Sequence, residues 1–500
     1  MKDWKREVFF WTLVVLFLIT APVIILNAKG YRFDTNRGVF VHSGTITFKS
    51  NPQTVDIKIN KEPFEARRLN IINNSYSLSG LIPGEYNLEI SAHDFRPWSK
   101  NVRVHSGVAS EFWNILLVRN NYEKTDFDTA GIEKFFISPK NNLLAYTATK
   151  ENNLLVKILN LENNEIEKEL DFPEWQFLEE QKKENIEWSP NNAFLSIPVK
   201  RKIQSEISNK EILLDEYEYN YFIYDFKAEN KINLAEISDK KNIRHVRWDP
   251  KENNHLFFMD GSDLFRINIK NPQEIVRISS DVSSYNLSET YIYYANDSSL
   301  IFKKSLTGED APIQITSGFP QSQNSKIATI VAYDDLRIAL ILENKDFYLR
   351  NSGERGDYFR KLGENIEESH FSSDGKKILF WSSNEIYVYF LRDQLSQPVR
   401  QENEIQNITR YSEPIRNVQW FSDYEHIIFN SGKFIKIIEI DPRDQLNCMD
   451  LVNTQNQNPF VIYNNLLEKL YFIDNKNDTS SLYSINFPEK NIIFGVEVNN

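Results

Sequence analysis

A chain of 500 residues is longer than one ordinary domain, so two or more are expected. Its composition, 41% hydrophobic and 26% charged, excludes a disordered chain, and 13% aromatics with frequent Ile and Val favour an all-β body. A net charge of -12 without a basic stripe argues against a nucleic-acid binder, and the single cysteine, Cys448, excludes both an intrachain disulfide and a cysteine-based zinc site.

Residues 1–7 form a short stub expected to stay in the cytoplasm. Residues 8–28, VFFWTLVVLFLITAPVIILNA, carry no charge, and at about 1.5 Å per residue they span roughly 31 Å, the thickness of a bilayer's hydrocarbon core. Trp4, Trp11 and Tyr31 are placed to sit at the two interfaces. An uncleaved transmembrane helix is the expectation. The alternative, a cleaved signal peptide, has a shorter apolar core and ends at a small-x-small site, which Leu26-Asn27-Ala28 is not. Lys2, Lys5 and Arg6 before the helix are balanced by Lys29, Arg32 and Arg37 after it, so charge decides orientation weakly. Retaining the short stub exports everything beyond residue 28, giving a single-pass cell-membrane protein with its bulk extracytoplasmic.

From residue 43 to 118 the period becomes two. GTITFKS, TVDIKIN, YNLEISA and SKNVRVHSG alternate apolar and polar residues as half-covered strands do, and Pro83-Gly84 sets a turn between two of them. The stretches Gly44-Thr45-Ile46, Ser50-Asn51-Pro52, Asp56-Ile57-Lys58-Ile59-Asn60 and Leu81-Ile82-Pro83-Gly84-Glu85-Tyr86, followed by Phe95, Trp98 and Val102-Arg103-Val104, resemble a PEGA domain. This sequence departs from the family at Pro52-Gln53-Thr54-Val55, which replaces the residues that name it, and at Asp94-Phe95, where a Gly-aromatic step is usual. The resemblance implies a small extracytoplasmic β-sandwich of bacteria or archaea, with no catalytic residues and with cell-surface or cell-wall contact as its role.

Residues 119–500 repeat loosely. Units open at Phe135 (FFISPKNNLLAYTA), Ile186 (IEWSPNNAFLSIP), Val246 (VRWDPKENNHLFFM), His370 (HFSSDGKKILFWSS) and Val418 (VQWFSDYEHIIFNS), with weaker copies near Tyr285, Lys326 and Val461. Spacings of roughly 40–60 residues suit one four-stranded sheet per unit, which must stack on its neighbours to bury both faces. The expected fold class is therefore all-β: an N-terminal transmembrane helix, a PEGA-like sandwich, and a β-propeller of eight four-stranded blades, or seven if one weak copy is an insertion. Trp188-Ser189-Pro190-Asn191-Asn192 and Phe371-Ser372-Ser373-Asp374-Gly375 resemble TolB-type, WD40-like propeller repeats. In that family the repeats bind proteins or form the lid of prolyl-oligopeptidase-like peptidases, and the motif itself is structural.

Two insertions break the rhythm, at 172–184 and 200–219. The second is strongly polar, and Asp215, Glu216, Tyr217, Glu218 and Tyr219 make it a candidate partner-binding loop, with a solvated hairpin as the plainer alternative. His42, His93, His105, His245, His255, His370 and His426 show no ligand-pair spacing, and Asp334-Asp335 is too sparse for a calcium loop. GxSxG, Walker A and GxGxxG are absent from the sequence, so no catalytic, cofactor-binding or metal residue is assigned and no cofactor is expected. A peptidase lid would need a hydrolase domain, for which these 500 residues leave no room. The expected function is a membrane-anchored binding or scaffold protein contacting envelope proteins or glycans. The alternative is a cell-wall-directed hydrolase with acidic residues in the propeller channel.

Overall fold

Uninterrupted apolar sequence makes the first element a helix, α1 (Lys2–Ala28). In the computed structural model, which describes residues 2–65, 67–70, 75–178, 184–202, 217–319, 325–488, 491–493 and 496–498, the stretch Trp4–Ala28 has a mean hydropathy of 2.7 over its most apolar window. None of that window is buried against the rest of the chain, and the helix is long and apolar enough to cross a membrane. Its two threonines satisfy their hydroxyls on the preceding turn: Thr12 Oγ1 donates to Val8 O (2.7 Å) and Thr20 Oγ1 to Leu16 O (2.9 Å). Pro22 is accommodated within α1, and Gly30, at φ +86°, takes the left-handed conformation that closes a helix end.

A hairpin follows directly, β1 (Tyr31–Asp34) and β2 (Val39–His42). It was not anticipated from the sequence. Two four-stranded sheets come next. One has the order Ala109–Leu116, Gly44–Asn51, Ser75–Leu81, Arg67–Asn70; the other Glu62–Pro63, Asp56–Ile59, Gly84–Ser91, Trp98–Val104. They share one core of Ile46, Phe48, Leu78, Leu88, Ile90, Trp98 and Phe112, whose spacing in each strand is the period-two pattern read from the sequence. Pro83 carries the chain from one sheet to the other. The last strand returns parallel to the first, Phe112 opposite Phe48.

Eight successive antiparallel sheets follow, seven of four strands and the second of five, and after them a two-stranded pair, Asn491–Ile493 with Val496–Val498. The first strands of the eight are Lys134–Ile137, Glu187–Trp188 (beside the short Gln176–Phe177), Ile243–Trp248, Val282–Leu287, Ile327–Asp334, Ile366–Phe371, Ile415–Trp420 and Val461–Asn464. The eight unit openings in the sequence fall on these strands or beside them. Thr125–Asp126 joins the eighth sheet by pairing with Thr479–Asn486, so the start of the region is hydrogen-bonded to its end.

Each sheet buries its faces against two neighbours. The first and second share Val156, Trp188 and Leu195; the second and third share Tyr221, Val246 and Phe258. The third and fourth meet at Phe257 and Tyr294, the fourth and fifth at Tyr293 and Leu340, and the fifth and sixth at Phe347 and Phe380. Val388 and Phe429 join the sixth to the seventh, Ile437 and Leu470 the seventh to the eighth, and Tyr471 and Tyr146 the eighth back to the first. The chain is mostly β, and these sheets are consistent with the blades of a β-propeller.

The repeat motif is structural in each copy described. Ser189 Oγ accepts from Phe194 N (2.9 Å) and Ser372 Oγ from Lys377 N (3.0 Å), each bracing the turn into the second strand. The turn then needs a left-handed residue, supplied by Asn141, Asn192, Gly375 and Tyr424 at φ values of 53° to 63°. The tryptophans reach backwards: Trp188 Nε1 donates to Phe136 O, Trp248 Nε1 to Glu187 O and Trp420 Nε1 to His370 O, each stitching one sheet to the inner strand before it.

Candidate functional site

The second sheet differs from the others because its middle strands, Phe194–Lys202 and Tyr217–Asp225, have nine residues each. Their ladder runs through Lys200↔Tyr219, Arg201↔Glu218 and Lys202↔Tyr217. Tyr217, Glu218 and Tyr219, expected on a loop, therefore lie on a strand; Asp215 and Glu216 fall outside the described residues. The correction has a physical reason. A hairpin projecting past its sheet has both faces wet, so it carries polar residues without the alternation that marks a half-buried strand.

Cations stack on the rings of this hairpin. The Arg201 guanidinium lies 4.6 Å from the Trp175 ring and pairs with Glu218 at 2.6 Å; Lys200 sits 5.5 Å from Tyr217, and Arg244 4.4 Å from Tyr219. Trp175 belongs to the first insertion and is buried beneath the Arg201 guanidinium of the hairpin.

Arg244 leads inward. Its Nε donates to Glu184 Oε1 (2.8 Å), and the Glu184 side chain has no solvent exposure. The same carboxylate accepts from the Tyr221 hydroxyl and from the His245 backbone amide, 3.1 Å from both oxygens. On the same strand as Arg244, Arg247 pairs with Glu187 at 3.1 Å, and the Tyr285 hydroxyl donates to His245 O. A continuous polar seam thus connects the projecting hairpin to the first strands of the second, third and fourth sheets.

Burial governs its titration. Burial raises the Tyr221 phenol well above its ordinary value and the nearby Glu184 charge pushes the same way; burial likewise raises Tyr285. Burial also lifts the Glu187 carboxyl, opposed by the Arg247 charge. For Arg247 burial acts downward, but Glu187 and the surrounding phenols overcome it and hold the guanidinium above its ordinary range. Each carboxylate of the seam faces an arginine, so the arrangement is suited to fixing a rigid, aromatic and cationic surface.

The sequence did not single out Glu184, Tyr221, Arg244, Arg247 or Tyr285. A signal was present in Ile243–Trp248, where three basic side chains, Arg244, His245 and Arg247, stand within one short first strand.

A second feature joins the small double sheet to the ring. Gln397 Nε2 donates to Ala109 O (2.9 Å) while its Oε1 accepts from Glu111 N (3.0 Å), so one side-chain amide caps the edge strand as a ladder partner would. Arg443 stacks 3.8 Å over Phe112 and donates to Glu111 O (2.7 Å). A small cavity of about 100 Å³ lies here, lined among others by Trp98, Trp113, His426 and Glu439. Among the described residues, no group of three or more His, Cys, Asp or Glu could hold a metal.

The sequence matches no family model and no curated protein. Among solved structures it is similar to the β-propeller domain of Cps50 (Swd1) from Myceliophteria thermophila, at 8% identity over 73% of this chain and 99% of that one, TM-score 0.39. It is also similar to Sqt1 of Saccharomyces cerevisiae (11% identity, 74% and 100% covered, TM-score 0.45) and to dipeptidyl peptidase 4 of Porphyromonas gingivalis (10% identity, 71% and 57% covered, TM-score 0.45). Scores this low carry no functional argument, and the propeller reading rests on the order of the sheets and the packing between them.

Proposed function

We propose that this chain is a membrane-anchored scaffold that presents a partner-binding surface outside the cytoplasm. In this reading α1 spans the membrane, residues 43–118 form a PEGA-like sandwich, and the eight sheets are the blades of a closed, TolB-like propeller. The observation that carries it is the coexistence of an apolar helix with no protein cover and a body clamped firmly to the unit that follows the helix. A membrane is the natural cover for such a helix, and a rigid body beyond it holds its surfaces at a set distance and tilt. The Arg201–Trp175 and Arg244–Tyr219 stacks suit an envelope protein or a glycan, since aromatic and guanidinium faces serve both.

Protease treatment of intact cells expressing a C-terminally tagged copy tests the reading. Loss of the tag with an intact cytoplasmic control is the expected result. A tag protected until lysis overturns export and the surface role with it.

A second reading, a cell-wall-directed hydrolase with acidic residues in the propeller channel, draws on Glu187 and Glu184, two carboxylates set close together in the polar seam, with burial raising Glu187 against the opposing Arg247 charge. It requires turnover of cell-wall fragments that Glu187→Gln abolishes while the fold persists.

A further inference from the structure

The β1–β2 hairpin carries four rings on one face. Residues opposite one another in an antiparallel ladder project to the same side, and successive residues alternate, so Tyr31↔His42 and Phe33↔Phe40 share a face. The rings meet edge to face, with centroids 5.1 and 5.2 Å apart. Phe33 remains 49% exposed and Phe40 39%, and neither joins the core of the adjoining double sheet.

The hairpin is held at both ends of its base. Ser43 donates to Gly30 O through its backbone N–H (2.8 Å) and its hydroxyl (2.7 Å). An Arg32 guanidinium nitrogen donates to Asn27 Oδ1 (2.7 Å) at the end of α1, and Ser106 Oγ donates to His42 O (3.1 Å) from the double sheet. The rings are therefore fixed a few residues beyond Ala28, where a helix crossing a bilayer leaves the hydrocarbon.

The charge there is opposite to that of the whole. Residues 29–42 hold Lys29, Arg32 and Arg37 against one carboxylate, Asp34, in a chain whose net charge is -12. Asp34 is buried and accepts from the backbone amides of Asn36 (2.9 Å) and Arg37 (3.2 Å), and its other oxygen lies 3.6 Å from the Arg37 guanidinium, which is still largely exposed, as is Lys29.

We propose that this hairpin is an interfacial element: its aromatic face lies in the headgroup layer of the bilayer that α1 crosses, with Lys29 and Arg37 toward anionic phosphates. Rings with apolar bodies favour that layer, and basic groups are drawn to its negative surface potential. The contact sets the tilt of everything that follows. It rests on the reading of α1 as a membrane anchor.

The test uses the full chain with Cys448→Ser and single cysteines at Leu16, Phe33, Phe40 or Leu466, each nitroxide-labelled. The protein is placed in phosphatidylglycerol–phosphatidylcholine proteoliposomes, and the readout is relaxation by oxygen against a water-soluble nickel chelate. Leu466, 74% exposed on the eighth sheet, reports bulk water. The expected result is strong oxygen and weak chelate relaxation at 16, with chelate relaxation at 33 and 40 several-fold below that at 466. Protection at 16 with chelate access at 33 and 40 equal to that at 466 overturns the hairpin proposal and leaves the anchor standing. Chelate access at 16 as well overturns the anchor, and the hairpin proposal with it.

Discussion

The ammonium of Lys100 lies 2.7 Å from the Glu439 carboxylate across the junction between the small double sheet and the ring, with the lysine side chain wholly withdrawn from solvent. The same ammonium is within hydrogen-bond distance of the carbonyls of Asp441 (2.8 Å), Arg443 (2.7 Å) and Gln445 (2.9 Å), so its three donors are shared among four acceptors. Glu439 is matched in turn by Trp98 Nε1 (3.0 Å) and by the backbone and side-chain nitrogens of Asn447, both at 2.8 Å. A buried charge pair is stable only when both ions are fully solvated by protein groups, and this one meets that condition.

Removing one partner should accordingly cost more than removing both. Lys100→Met is expected to destabilise the junction by about 3–5 kcal/mol, because it leaves Glu439 as a buried charge without its cation. The double variant with Glu439→Gln should recover a large part of that loss. Denaturant unfolding, with limited proteolysis of the segment joining the two units, distinguishes the outcomes; equal losses in the single and double variants would mean the pair is not the source.

Beside this pair, His426 and Asp423 meet at 2.7 Å. Burial alone would lower the His426 pKa, but the Asp423 carboxylate reverses this, with Glu439 and Glu425 adding to it, and the imidazole is held above its ordinary 6.5. For Asp423, burial acts upward, and the imidazole charge together with its hydrogen bonds brings the carboxyl below 3.8. Lys377, bonded to Glu425, and Lys100, paired with Glu439, are the cations set against these carboxylates. A raised imidazole pKa contributes stability that is complete below 6.5 and lost as pH rises through the folded value. A lowered carboxyl pKa contributes stability present above 3.8 and lost as pH falls through the folded value. The difference in unfolding free energy between wild type and His426→Gln should therefore be greatest between roughly pH 4 and 6.5 and shrink on the alkaline side. A difference that is flat from pH 5.5 to 8.5 would remove the ion pair from the account.

Ring closure depends on side chains more than on the ladder, since the closing strand, Thr125–Asp126, has two residues. Phe127 follows it into a cluster with Phe135, Tyr146, Tyr471, Ile473 and Leu482. Phe127→Ala should cost about 3–5 kcal/mol. Hydrogen exchange should rise first in the first and eighth sheets, and the small double sheet should keep its protection.

What the sequence disclosed and what it hid follow from how each segment meets water. Four of the clearest openings were legible because each pairs a bulky inner-strand residue with a turn holding a left-handed residue, Asn141, Asn192, Gly375 or Tyr424. The β1–β2 hairpin was not, because strands of four residues are too short for their alternation to stand out beside an apolar helix. Lys200 to Tyr219 misled because polar residues in a projecting hairpin lack the alternation of a half-buried strand. Lys100 was readable in principle: it stands between Trp98 and Val102 on the buried face of its strand, where a charge signals a partner outside the sheet. Glu184 gave no such sign, lying in a polar run whose neighbours offer no period.

Glu184 supports the last prediction. Its carboxylate holds the Tyr221 hydroxyl and the Arg244 guanidinium, and Arg244 in turn stacks on Tyr219 of the projecting hairpin. Glu184→Gln retains the shape and some of the acceptor capacity, and should cost about 1–3 kcal/mol; Glu184→Ala should cost about 3–5 kcal/mol, since it also removes every acceptor for Tyr221, Arg244 and the His245 amide and leaves a void. The damage should be local before it is global. Amide exchange should accelerate along Phe194–Lys202 and Tyr217–Asp225 while the sixth sheet is unchanged, because the seam touches only the second to fourth sheets. If the hairpin carries the partner surface, its ligand affinity should fall in Glu184→Gln under conditions where the whole protein remains folded. Unchanged exchange in both strands would mean that the hairpin holds itself, and that the seam serves only the packing of the ring.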